Sequence, residues 1–230
     1  MDTSLRLAEK LVSKLSYPRL AVEIANRTID RQQLKIKAGV DIGRDCILRG
    51  NLMIGPHCSV GDNCELLGDV SLGERSNLNR GIEVVREVKI GKYGAFARDI
   101  LFQEKNHVIS KPGMQMRFYN NVLDSKLEHT SNGPISVGNG VWIGARDIIL
   151  SAVSIGDGAI MGVGSIVTDD VEPYSVVAGV PADRVKWRFN KEIREQLLEL
   201  EWWNLPEDVL QQNTQFFNQP IKSRCDIPDI

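Results

Sequence analysis

Apolar residues recur along the chain at every sixth position, a spacing that fits neither an amphipathic helix nor one ordinary strand. This period suits short strands joined by tight corners and wound into a solenoid, in which equivalent side chains stack from coil to coil. The first run of apolar positions consists of Ile36, Ile42, Leu48, Ile54, Val60, Leu66, Leu72, Leu78, Val84, Ile90, Phe96 and Phe102. The second run consists of Val137, Ile143, Ile149, Ile155, Met161 and Val167. The pattern therefore predicts a mainly β protein.

Small residues mark the corners of this predicted solenoid. Glycine often follows the apolar position, as at Gly43 and Gly144, where a corner tolerates close backbone approach. A second set lies four residues after the apolar positions and consists of Val40, Cys46, Cys58, Cys64, Ser76, Val141, Ala159 and Ser165. Because three of the four cysteines belong to this set and none forms a CxxC pair, we predict buried reduced thiols and no metal site.

The segments outside the repeat differ from it in pattern. Residues 1 to 34 carry spaced Leu and Val broken at Pro18, which predicts one or two helices that cover the first coil. The β-helix is predicted over 35 to 178. Residues 179 to 230 are predicted to form a loop, helices within 190 to 213 and a loose tail.

Composition narrows the class of protein. The 230 residues are 42% hydrophobic and carry a formal charge of −2, which is typical of one globular domain without a nucleic-acid partner. No apolar run is long enough for a membrane span, and the first 34 residues lack the apolar core of a signal peptide. We therefore expect a cytoplasmic protein without stable membrane insertion.

The repeat is interrupted between Phe102 and Val137, and this excursion, residues 103 to 134, carries two of the three histidines. Histidine is well suited to general-base chemistry near neutral pH. His107 is the first candidate because it comes shortly after the last apolar position in register. His129, deeper in the excursion, is the alternative, whereas His57 falls at an outward position of its hexad.

Three motifs carry a resemblance to a known family. They are Asn106-His107 in the excursion, the segment from Gly138 to Ala145 that contains Trp142-Ile143-Gly144, and the segment Val176 to Ala182. With the hexads, they resemble the hexapeptide-repeat acyltransferases of the xenobiotic and sugar O-acetyltransferase type. The resemblance covers roughly residues 36 to 206. It implies a left-handed parallel β-helix, acetyl-CoA as co-substrate, and a homotrimer with active sites between subunits.

The same resemblance implies roles for individual residues. His107 would take a proton from an acceptor hydroxyl, which then attacks acetyl-CoA directly without a covalent acyl-enzyme. Asn106 and Tyr119 would contact the acceptor. The residues that orient the imidazole stay open among Glu104, Asp124 and Glu128.

Acetyl-CoA is expected downstream of the excursion. The resemblance places it at Trp142, Ala145, Val163 and Thr168, with Arg184 and Lys186 near its phosphates. The lysine that commonly follows the threonine in the family is Asp169 here. Arg184, Lys186 and Arg188 are the candidates to supply the charge instead, and a solvated basic stretch is the alternative interpretation of these three residues.

These features predict an O-acetyltransferase acting on a hydroxyl of a sugar or cell-envelope polysaccharide precursor. The alternative acceptor is an antibiotic, because the stretch from Trp187 to Pro206 is similar to the tail of streptogramin and chloramphenicol acetyltransferases. A non-catalytic scaffold is a third possibility. A γ-type carbonic anhydrase relative is disfavoured, since the three histidines lack the close pair that its metal site needs.

Overall fold

The computed structural model describes residues 34–228, and short strands make up most of this range. The predicted N-terminal cap lies outside the described residues, except for its last position. The strands are β1 (Leu34–Ile36), β2 (Asp41–Ile42), β3 (Ile47–Arg49), β4 (Leu52–Ile54), β5 (Ser59–Val60), β6 (Glu65–Leu67), β7 (Val70–Leu72), β8 (Asn77–Leu78), β9 (Glu83–Val85), β10 (Val88–Ile90), β11 (Ala95–Phe96), β12 (Leu101–Gln103), β13 (Asn106–His107), β14 (His129–Thr130), β15 (Ile135–Val137), β16 (Trp142–Ile143), β17 (Ile148–Leu150), β18 (Ser154–Ile155), β19 (Ile160–Met161), β20 (Ile166–Val167), β21 (Ser175–Gly179) and β22 (Ala182–Trp187). The helices are α1 (Met116–Asn121), α2 (Lys191–Leu200), α3 (Glu207–Gln212) and α4 (Thr214–Asn218), with 3-10 turns at Trp202–Asn204 and Arg224–Asp226.

Three sheets form the faces of the solenoid. Sheet A contains β1, β4, β7, β10, β15 and β18, and sheet C contains β3, β6, β9, β12, β17 and β20. Sheet B contains β2, β5, β8, β11, β16, β19, β21 and β22. Most coils place one strand in each sheet, and residues that stack in neighbouring coils are 18 positions apart, as Asn51 and Asp69 are. Val88 of β10 pairs directly with Ile135 of β15, so the coil resumes in register after the excursion.

The six-residue pattern corresponds to the interior of this solenoid. Every position of the first apolar run from Ile42 to Phe102 is buried, as is every position of the second run, while Ile36 in the first strand is half-buried. Each buried aliphatic side chain contributes roughly 1.5 to 3 kcal/mol relative to an exposed one. The repeated anchors therefore supply most of the driving force for the coil.

The corner cysteines are reduced, as the sequence predicts. The thiol of Cys58 donates to the carbonyl oxygen of Gly73 at 2.9 Å, and that of Cys64 donates to Asn79 at 3.0 Å. Burial raises the pKa of both thiols. They therefore stay protonated and act as small corner fillers.

The C-terminal part contains a strand that the sequence pattern does not predict. The segment after 179 was expected to begin as a loop, but β22 instead pairs antiparallel with β21 and covers its open edge. Beyond it, Asn190 caps α2 by accepting the N–H of Ile193 at 2.9 Å. Ile193 and Leu197 then pack in a second small core with Tyr174. Within residues 34–228, no helix is long and apolar enough to cross a membrane.

Candidate active site

The excursion leaves the solenoid after β12 and rejoins it at β15, and its two ends are tied together. The hydroxyl of Ser131 donates a hydrogen bond to Glu104 Oε1, and Ser131 Oγ also accepts the N–H of Gly133 at 2.9 Å. Glu104 is only 5% exposed, and Arg86 Nε lies 3.9 Å from its second oxygen. A buried carboxylate is costly without partners. We call these four residues the neck, because they fix where the excursion emerges.

Just beyond the neck, β13 and β14 form an antiparallel pair that sets His107 directly opposite His129. The centroids of the two rings are 5.0 Å apart, with an angle of 60° between the ring planes. The side chain of His107 is exposed, whereas that of His129 is half-buried. The Nε2 atom of His129 is buried and has no hydrogen-bond partner among the described residues. The pair therefore presents His107 outward against the ring of His129.

Asn106 fastens this pair to the solenoid. Its amide Nδ2 donates to Ser151 Oγ at 2.9 Å, and Ser151, which follows β17, is 7% exposed. Because Ser151 belongs to a buried coil, the hydrogen bond places the backbone of His107 beside a rigid surface. This is the position that a general base needs if it is to hold its orientation.

The surroundings of His129 favour its neutral form. Burial is the largest cause that lowers its pKa, followed by the positive charges of Lys105 and of His107 when protonated, with a smaller effect of Arg86. Hydrogen bonding with the backbone of Asn106 opposes this shift. At neutral pH, His129 is therefore an uncharged neighbour of His107.

The middle of the excursion has its own small packed centre. Tyr119 in α1 is buried, and its ring lies edge-on to Phe118 at 5.6 Å, with the ammonium group of Lys111 5.6 Å from the ring centroid. Leu127 is buried as well. Tyr119, predicted to contact an acceptor, is thus placed in the interior of the excursion.

A second set of predicted residues lies where sheet B turns into sheet C. The N–H of Gly164 donates to the carbonyl of Ala145 at 3.0 Å, so this turn stacks on the one in the previous coil. A side chain at Gly144 would place its Cβ 2.7 Å from the backbone nitrogen of Val163, which explains the glycine. Val163 is 72% exposed. We call the segments 144–147 and 162–165 the BC corner.

Asp147 is buried inside the BC corner and was not found by sequence reasoning. Its Oδ1 accepts the N–H of Ser165 at 2.7 Å, while Oδ2 is buried without a partner in the described structure. Burial raises its pKa to about 6, against the opposing effect of the backbone N–H groups of Ser165, Gly144 and Gly164. The sequence did contain a sign of this residue. Asp147 lies four residues after Ile143, at the corner position where other coils have small or apolar residues.

Two further predicted contacts lie on or near the outer surface of the same coils. Trp142 is 49% exposed on sheet B, between Ala95 and Ile160 of the neighbouring strands, so it does not pack inside the coil. Thr168 is exposed, and its hydroxyl donates to the carboxylate of Asp169 at 2.7 Å. Asp169 thus holds the threonine hydroxyl.

The basic residues of β22 and the following position are in three different environments. Arg184 pairs with Glu172 at 3.0 Å and stacks on Trp187 at 4.3 Å. Lys186 is exposed in β22, opposite Val176. Arg188 donates to the carbonyl of Gly158 at 2.6 Å and lies over Tyr174, which gives it a structural role in the C-terminal core.

One copy of the chain does not bring the two sets of residues together. Ala145 lies before β17 and Ser151, which holds Asn106, lies after it. A strand rises about 3.3 Å per residue, so the six residue steps from Ala145 to Ser151 span at most about 20 Å. The neck follows β9 and β12 whereas the BC corner precedes β17 and β20, so the two lie at opposite ends of the strands of sheet C.

Comparisons with known proteins agree with this architecture. No family model matches the chain. A chloramphenicol acetyltransferase of Morganella morganii is 46% identical over 78 residues, which cover 34% of this chain and 37% of that protein. A galactoside O-acetyltransferase of Escherichia coli (strain K12) is 54% identical over 48 residues, covering 21% and 24% respectively. The chain thus aligns with well under half the length of either relative.

A solved structure resembles about three quarters of the chain. A point mutant of AntD, an N-acyltransferase from Bacillus cereus crystallised with dTDP and coenzyme A, superimposes with a TM-score of 0.54. The match covers 73% of this chain and 87% of AntD, at 21% identity, and therefore concerns the fold alone. These findings confirm the predicted left-handed parallel β-helix and the resemblance to the hexapeptide-repeat acyltransferases.

Proposed function

We propose that this protein is an acetyl-CoA-dependent O-acetyltransferase in which His107 is the general base. The observation that carries the proposal is an exposed imidazole held beside a rigid coil by the Asn106 to Ser151 hydrogen bond. It is supported by segments similar to acetyltransferases that act on chloramphenicol and on galactosides. Because the reaction consumes acetyl-CoA, we expect it to take place in the cytoplasm.

The chemistry requires one base and no covalent intermediate. A neutral His107 takes the proton of the acceptor hydroxyl as the oxygen attacks the thioester carbonyl of acetyl-CoA. The tetrahedral intermediate then collapses, the C–S bond breaks, and the proton passes from His107 to the departing sulfur. The products are an acetyl ester and coenzyme A.

The BC corner supplies the proposed acetyl-CoA groove. Ala145 and Val163 would contact the pantetheine arm through backbone and small side chains, and Trp142 would flank it on sheet B. Lys186 and Arg184 would approach the phosphates, with Arg184 first leaving Glu172. Thr168 would contribute a hydroxyl near the same end.

The active site is proposed to form between subunits of a homotrimer. The separation of the neck and the BC corner supports this proposal. Acetyl-CoA bound at one end of the sheet C strands is far from His107, which lies beyond the other end in the same copy. A neighbouring copy would set its own neck against that corner.

The acceptor is proposed to be a hydroxyl of a sugar or of a cell-envelope polysaccharide precursor. Asn106 borders the expected site beside His107, and Tyr119 would shape the wall from within the excursion. The exposed polar side chains of Arg117, Asn120 and Asn121 can form hydrogen bonds with a polyol.

An antibiotic acceptor is the second candidate, and the excursion offers an observation in its favour. Ile109 is 89% exposed, Val122 70% and Phe118 40%. Apolar surface of this kind suits a partly apolar drug better than a free sugar. The similarity to chloramphenicol acetyltransferase supports the same candidate.

Thiol release from acetyl-CoA tests the proposal. The panel contains nucleotide sugars, free sugars, chloramphenicol and a streptogramin, and the variants are His107→Ala and the control His57→Ala. We expect turnover with one acceptor class, a loss of about 10² to 10⁴-fold in kcat for His107→Ala, and no loss for His57→Ala. Full activity of His107→Ala would refute the base assignment, and a chain that binds no acyl-CoA would favour the scaffold.

A further inference from the structure

His129 faces His107 through the backbone pairing itself. Directly opposed residues of an antiparallel pair have Cβ atoms about 4.5 to 5.5 Å apart, so two large side chains there must touch. The ring centroid distance of 5.0 Å reflects this contact. Any rotation of the His107 imidazole toward β14 is therefore blocked by the second ring.

The polar partner of His129 is the backbone of Asn106, and no described side chain hydrogen-bonds to its Nε2 atom. Its buried Nε2 makes no hydrogen bond to the described residues. The carboxylate of Glu104 is directed to Ser131 and Arg86, and that of Glu128 lies 3.8 Å from Lys111.

The charges that do act on His129 are positive. They come from Lys105 and His107 on β13 and from Arg86 after β9. Among residues 34–228, no carboxylate is thus placed to hold His129 as an imidazolium, and the lowered pKa leaves the ring facing His107 uncharged at neutral pH.

We infer that His129 is a positioning residue for His107, which holds the catalytic imidazole in one orientation through ring contact across the β13–β14 pair. This inference rests on the proposed function of His107. It assigns His129 no contact with either substrate. It also explains why the excursion places a second aromatic ring at this one cross-strand position.

The arrangement has a consequence for the acid side of the reaction. When His107 takes a proton, its positive charge develops about 5 Å from His129, which is tolerated while His129 is neutral. As the pH falls through the lowered pKa of His129, a second charge appears and opposes that proton transfer. On the acid side of its pH profile, kcat should therefore fall more steeply with decreasing pH than protonation of a single group would cause.

A first experiment measures the pair without using activity. The chain has three histidines, so its ring Cε1–H NMR signals are assigned from His57→Gln, His107→Gln and His129→Phe. In the wild type, His129 should titrate below the ordinary value for histidine. In His107→Gln its midpoint should rise by at least about 0.3 pH unit, because a neighbouring charge is removed. An unchanged midpoint would overturn the inference.

The second experiment uses kinetics with matched variants. His129→Ala removes the ring and should lower kcat at least about tenfold with KM for acetyl-CoA changed less than twofold. His129→Phe keeps a ring that cannot be charged and should retain at least about a third of the wild-type kcat. On the acid side of its pH profile, kcat should follow the protonation of a single group. Unchanged kcat in His129→Ala, or no rescue by Phe in a folded protein, would overturn the positioning role.

The two proposals fail separately. If His107→Ala keeps full activity, the proposed base is wrong whatever the NMR titrations show. If His107→Ala is inactive but His129 neither responds to His107 nor affects kcat, only the positioning role is wrong.

Discussion

The two ends of the sheet C strands differ in how their residues relate to the six-residue repeat. At the BC corner, the proposed acetyl-CoA contacts follow from the repeat: Ala145 and Val163 occupy equivalent places in successive coils. At the neck, Glu104 contacts Ser131, and just beyond it Asn106 contacts Ser151. The spacing of neither pair follows the six-residue period. In the proposed site, the solenoid therefore supplies one half by repetition and the other half by departing from the repeat.

The largest expected effect is on acetyl-CoA binding, when a large side chain fills the BC corner. Val163→Trp adds bulk to a 72% exposed side chain, so the coil should fold normally while the proposed groove is blocked. We expect the KM for acetyl-CoA to rise by about 10 to 100-fold, with a smaller change for the acceptor. Isothermal titration with coenzyme A and steady-state kinetics measure this, and unaltered KM would remove the corner from the account. Val185→Trp, at another exposed valine, is the matched control.

A smaller effect is expected on the neck side. Ser131→Ala removes the hydroxyl that donates to the buried carboxylate of Glu104, so the unpartnered group should loosen the start of β13. We expect kcat to fall by about threefold to tenfold and stability to fall by about 1 to 3 kcal/mol. Ser136→Ala makes the same chemical change at an exposed hydrogen bond on sheet A and should alter neither quantity. Equal behaviour of the two variants in kinetics and denaturant unfolding would contradict a special role for the neck.

The smallest effect concerns Asp147, and it is a pH dependence of stability. Its pKa in the folded protein is about 6, above that of an unfolded chain, so the folded state binds more protons between these values. Stability contributed by this group is therefore full at low pH and is lost as the pH rises through about 6. Asp147→Asn keeps the oxygen that accepts the N–H of Ser165 and removes the charge. We expect a gain of about 1 to 3 kcal/mol at pH 7 that shrinks toward pH 4.

Thermal unfolding from pH 4 to 8 tests this expectation. Asp157→Asn is a useful comparison, because Asp157 accepts the N–H of Asn139 at a half-buried turn of the same solenoid. A gain for Asp147→Asn that is the same at every pH would show that its charge is not the cause.

Much of the fold was predictable because its cause is periodic. Burial of Ile42, Leu66 or Ile149 follows from their place in the six-residue pattern, and the parallel β-helix follows from the resemblance that this pattern carries. The hairpin partner β22 was not predictable, because its side chains are mostly exposed and show no apolar alternation. Its formation depends on the open edge of β21.

The site was predictable only where it lies close to the repeat. His107 was identified because it comes soon after Phe102, the last anchor before the excursion. Its contact with His129 depends on the register of two short strands far apart in sequence, which no local pattern encodes. Asp147 was missed for the opposite reason: the regularity of the neighbouring hexads concealed one charged residue at a corner position.

The most direct test of the central claim is a mixture of two defective chains. His107→Ala retains the BC corner and Val163→Trp retains the neck, so each alone should show little thiol release at acetyl-CoA concentrations near the wild-type KM. If the His107 end of sheet C in one copy meets the BC corner of the next copy in a trimer, each mixed trimer, isolated with two affinity tags, should contain one intact site of three, about a third of the wild-type number. Activity of the mixed oligomers no higher than the sum of the separate variants would contradict a site shared between subunits.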